Sequence, residues 1–88
     1  MVDFQDNKQE FFMKNLLPEQ CRAARGLLNW TQERLAALAG VSRSTVRDFE
    51  NGRHQLHRAT EALLVDALGR AGIRLVSDQR EVGIKLRR

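Results

Sequence analysis

Eighty-eight residues, 42% hydrophobic and 30% charged, describe one small globular domain with a limited core, not a fibrous or multidomain chain. No apolar run approaches the roughly 20 residues that span a bilayer, and residues 1 to 7 lack the basic start and apolar core of a secretory signal. The net charge is +4 and 12 of the 15 basic residues are arginine, whose planar fork suits bidentate contact with phosphate and guanine.

Residues 1 to 15 are polar apart from Phe4 and the Phe11-Phe12-Met13 cluster, and read as a flexible or partly helical tail. Pro18 has the fixed φ that opens a helix, and Glu19 adds favourable charge beside the dipole, although Leu17 is a poor cap. Leu17, Cys21, Ala24 and Leu28 then fall at helical spacing, giving a first helix over 18–28. Asn29-Trp30-Thr31 matches a glycosylation sequon, which carries no consequence without secretion. Thr31 caps a second helix over 32–39 with Leu35, Leu38 and Ala39 inward, and Gly40 ends it. Ser42 caps a third helix over 43–50 with Val46 and Phe49 inward, closed by Asn51-Gly52.

Arg58 to Ala71 reads as a longer helix, with Ala59, Leu63 and Ala67 beside Leu64 and Leu68 along one side, stopped by Gly72. The period then changes. Ile73 and Leu75, then Val82, Ile84 and Leu86, alternate around Ser77-Asp78-Gln79-Arg80 as a hairpin does. The reading is therefore a compact, mainly α domain of four to five helices over 16–72, containing a helix-turn-helix, followed by a C-terminal β-hairpin over 73–88. An isolated hairpin is marginal in water, so its apolar face needs cover, either from its own helices or from the hairpin of a second chain.

Residues 32–49 carry the functional signal. Two short helices crossing steeply need a small residue at the closest approach, a turn residue that tolerates positive φ, apolar residues on both sides and a cap for the second helix. Ala36, Gly40, the set Leu35, Ala39, Val41, Val46 and Phe49, and Ser42 supply these in one register. The plainer alternative is an ordinary helical hairpin with a glycine turn. Arg43, Arg47, Arg53 and Arg58 cluster there with His54 and His57, which is where binding to a polyanion would sit.

Thr31-Gln32, Leu35-Ala36, Gly40-Val41-Ser42 and Phe49-Glu50-Asn51-Gly52 resemble the Cro/cI-type (xenobiotic-response-element) helix-turn-helix repressors, over roughly residues 18 to 70. The resemblance implies that Gln32 holds a phosphate and braces the first recognition residue. It implies that Ser42, Arg43, Ser44 and Asp48 face base edges in the major groove, with Arg47 flanking them. Arg25 and Glu50 occupy the positions of the family's semi-buried ion pair. Arg53 and His54, with Arg58, follow the recognition helix and would lie near phosphates. Asp48 fits least well, since a carboxylate repels phosphate, and it would instead restrain Arg47 or Arg43. The implied function is sequence-specific binding of double-stranded DNA by a cytoplasmic transcriptional regulator, a repressor acting as a homodimer on a palindromic operator. The alternative is an antitoxin or a phage or plasmid accessory protein; an antitoxin would add a toxin as partner.

Other chemistry finds little support. Cys21, His54 and His57 are scattered between a helix face and a loop and make a poor metal site, so neither metal nor cofactor is expected. Cys21 reads as a small buried hydrophobe, with no second cysteine for an internal disulfide, which suits a reducing compartment. No glycine-rich loop or nucleophile–base pair points to an enzyme.

Overall fold

The computed structural model describes residues 16–77 and 80–88, so the expectation of a flexible tail over 1–15 lies outside the described residues. In chain order the elements are α1 (Pro18–Leu28), α2 (Gln32–Ala39), α3 (Arg43–Glu50), α4 (Arg58–Arg70), β1 (Ile73–Ser77) and β2 (Val82–Leu86). Four helices and a two-stranded antiparallel hairpin make a mainly α fold.

The chain breaks where its residues favour breaking. Pro18 takes the first position of α1, where a missing N–H costs nothing. The Leu17 side chain cannot cap, and Gln20 compensates by accepting the Leu17 N–H on Oε1 at 3.0 Å. Asn29, which the sequence presents only within a sequon, is the stop of α1, in the left-handed region at φ 59°. Thr31 and Ser42 cap α2 and α3 by accepting the N–H groups of Arg34 and Thr45 at 3.0 and 3.1 Å. Between them Gly40, at φ 77°, turns the chain while Ala36 accepts the Gly40 and Val41 N–H groups.

The core is Leu35, Val46, Phe49, Leu64 and Leu68, with alanines 24, 36, 39 and 67 filling the crossings. Ala36 is 4% exposed at the contact of α2 with α3, where a larger side chain would push the helices apart. Three expected core positions are corrected. Leu38 and Leu63 are 45% and 46% exposed, and Ala59 is exposed. In α4 one stripe runs through 59, 63 and 67 and another through 64, 67 and 68. Packing against α2 and β1 selects the second. In α2 the same competition leaves Leu35, Ala36 and Ala39 inside and Leu38 on the flank.

The hairpin pairs Ile73 with Leu86 through to Ser77 with Val82. Most of its apolar face is covered by its own helices: Ile73 is buried, and Leu75, Ile84 and Leu86 pack against the helical core, whereas Val82, expected on the same covered face, is 52% exposed at the far end of the hairpin. β2 lies along α1 and β1 along α4. Gln20, 3% exposed, joins the layers by donating its amide to the carbonyls of Gly83 at 2.9 Å and Val76 at 3.3 Å. Gly72 leads into β1 at φ 101°, where a Cβ would stand 3.1 Å from the Arg87 carbonyl oxygen. Glu61 in the first turn of α4 accepts the Leu16 N–H at 2.6 Å and holds the start of the described chain.

Candidate nucleic-acid interface

α3 presents Ser42, Arg43 and Ser44 at its exposed N-terminal end, with Arg47 exposed and Asp48 half-buried one turn later. Arg43 has no hydrogen bond or ion pair among the described residues, so its five donors face solvent. Ser42 Oγ is occupied by the cap and by hydroxyl contacts to Thr45 Oγ1 (2.7 Å) and Ser44 Oγ (3.1 Å). Asp48 Oδ1 accepts from Arg47 Nε at 3.2 Å, matching the expected restraint on Arg47. Ser44, Thr45 and Asp48 line one open cleft with His54, Leu56, His57 and Thr60. Arg53 and His54 are exposed in the loop that follows α3.

The other end of α3 is anchored. Glu50 is 2% exposed and its carboxylate accepts four donors. Arg25 makes a bidentate pair, Nη2 to Oε1 at 2.7 Å and Nε to Oε2 at 2.8 Å. Gln32 Nε2 donates to Oε1 at 3.0 Å and Cys21 Sγ to Oε2 at 3.0 Å. Burial works against the charge, but the hydrogen bonds from Arg25, Gln32 and Cys21 outweigh it and hold Glu50 below the usual carboxylate range. The same bond raises Arg25 above its ordinary value despite partial burial. Arg25 Nη1 also reaches the Trp30 carbonyl at 3.0 Å, and Arg22 donates to the carbonyl of Glu50 itself. α1 and α2 thus grip the C-terminal end of α3 while its N-terminal end stands free.

The structure brings Arg25 and Glu50 together as expected. It places Gln32 differently, for its amide donates to Glu50 and not to a residue at the start of α3. Arg22 and Cys21 belong to the same anchor and were not legible as such. Their signal is spacing: Cys21 and Arg25 lie four apart on one face of α1, so both reach one acceptor. Among the described residues no group of three or more His, Cys, Asp or Glu is placed to hold a metal ion, and no helix is long and apolar enough to cross a membrane. Cys21 lies in the core, whereas His54 and His57 are exposed.

Two short helices, α2 and α3, joined by the tight Gly40 turn and with the N-terminal end of the second presented to solvent, are the arrangement of helix-turn-helix DNA-binding domains. Residues 22–70 match the family described as helix-turn-helix, and with more than half of its length matched the chain belongs to that Cro/C1-type (XRE) family. The match makes the protein a DNA-binding transcriptional regulator, of a family typically without enzymatic activity. No curated protein matches the chain.

Proposed function

We propose that the protein is a cytoplasmic repressor that binds a palindromic operator as a homodimer, reading each half-site with α3. One observation carries this reading. Arg43 stands exposed, without a partner among the described residues, on the first turn of a helix whose far end is buried and held through Glu50. Arginine in that position reaches guanine O6 and N7 when the helix N-terminus enters the major groove. Ser44 and Arg47 flank it, with Asp48 orienting Arg47, and Ser42 contributes mainly as the cap of the reading helix. Arg53 and His54, exposed in the loop after α3, would meet backbone phosphates, while Gln32 serves the Glu50 anchor.

Phosphate contacts release counterions, so the affinity for a selected duplex falls steeply as salt rises from about 50 to 200 mM. The binding constant over that range tests the reading. A flat response removes phosphate contact from the interface and with it the proposed docking.

A further inference from the structure

Cys21 is the one member of the Glu50 anchor whose residue type is usually read as packing alone. It is fully buried, and its Sγ stands 3.0 Å from Glu50 Oε2. We propose that Cys21 is a positioning residue, its S–H donating to Glu50 and fixing the carboxylate that ties the recognition helix to α1. The distribution of donors supports this assignment. Oε1 accepts Arg25 Nη2 and Gln32 Nε2, whereas Oε2 accepts Arg25 Nε and, as its second donor, the thiol. A valine or alanine at position 21 would fill similar space but leave that oxygen one donor short inside the core.

The proton belongs to sulfur. Burial first pushes the thiol's pKa up, and the hydrogen bond and negative charge of Glu50 push it the same way, against smaller opposing effects of Arg25 and Arg22. Glu50 keeps its charge beside Arg25, so the thiol is donor and the carboxylate acceptor. Cys21 also sits one turn before Arg25, so α1 holds both points of contact with Oε2. Arg22, on the same helix, holds the neighbouring carbonyl. Loss of the thiol therefore loosens the carboxylate's orientation without removing the ion pair.

The chain has a single cysteine, so its S–H stretching band in the infrared belongs to this residue alone. In the unaltered folded chain the band sits at the low frequency of a thiol bonded to a carboxylate; a band at the unbonded position overturns the proposal. Cys21→Ala and Cys21→Ser are then compared in unfolding equilibria from neutral to acid pH. Cys21→Ala lowers the folding equilibrium constant roughly tenfold at neutral pH, the size of a hydrogen bond to a charged group. That penalty shrinks as Glu50 takes up its proton below its ordinary value of 4.5, and Cys21→Ser, which keeps a donor, stays near the unaltered profile. A penalty that is the same at every pH, with serine no better than alanine, reduces Cys21 to packing. If both variants fail to fold, the infrared band of the unaltered chain decides. On the DNA-binding reading, Cys21→Ala also weakens binding to a duplex selected with the unaltered chain, and Cys21→Ser restores it. Failure of the unaltered chain to bind DNA would end that reading and leave the thiol result standing.

Discussion

A carboxylate with 2% exposure is costly in a protein interior unless donors match its charge, and at Glu50 four of them do. Buried pairs of this kind often add little net stability, yet removing one partner strands the other. Glu50→Ala is therefore expected to cost about 3–5 kcal/mol, because Arg25 keeps its charge in a partly buried position. Glu33→Ala, in the exposed first turn of α2, should stay within about 0.5 kcal/mol. Thermal unfolding of the two variants decides, and equal shifts in Tm would make Glu50 an ordinary surface residue. The same network sets a pH limit. Glu50 titrates lower in the folded chain than when unfolded, so its contribution is complete above the ordinary value of 4.5 and is lost as pH falls through the folded value. Stability measured downward from pH 5 should fall in the unaltered chain, and Glu50→Ala should lack that component. At the reading end of α3, Arg43→Ala should cost about 1–3 kcal/mol on the best duplex and relax preference at one base pair. Arg53→Ala should weaken all duplexes evenly. A panel of single-base variants that fails to separate the two substitutions would reassign both residues.

Helix boundaries were legible because each depends on local chemistry: Pro18, Thr31, Gly40, Ser42 and Gly72 act through their own backbone or side chain. The alternating hairpin was legible for the same reason, since a period of two survives in a short segment. What each element packs against was not. An eight-residue helix such as α2 holds barely two turns, and spacing alone cannot choose between a stripe that includes Leu38 and one that excludes it. The Arg25–Glu50 pair, 25 residues apart, came from family resemblance, whereas the roles of Cys21, Arg22 and Gln20 required the packed structure. Gln20 is the clearest case, a polar residue near a helix start whose amide joins that helix to both strands. Gln20→Ala removes a buried group with three bonds, at a cost of about 1–3 kcal/mol. Because two of those bonds end on the hairpin, amide exchange should quicken in Val82–Leu86 before it does in α2 and α3. Uniform acceleration along the chain would show instead that hairpin and helices open as one unit.

At the scale of the whole molecule the question is how one short reading helix discriminates an operator. A single module covers few base pairs and competes with a genome of non-specific sites, so two copies related by a dyad are expected. The hairpin's apolar face is mostly occupied by its own α1 and α4, which leaves only Val82 as an exposed apolar residue on it and no wider apolar seam among the described residues. What remains is backbone. A two-stranded sheet has two outer edges, and an open strand edge readily pairs with its twin about a two-fold axis. Arg74 and Lys85, directly opposite each other and exposed, stay outside such a pairing because they project from the sheet's face. The chain should therefore sediment as a dimer, and its two α3 helices should read half-sites about 34 Å apart, one turn of DNA. Inserting about five base pairs between half-sites turns one of them to the opposite side of the duplex and should abolish tight binding, while inserting about ten restores much of it. A chain that sediments as a monomer and binds all three spacings equally reads DNA one helix at a time, and the dimeric operator model fails.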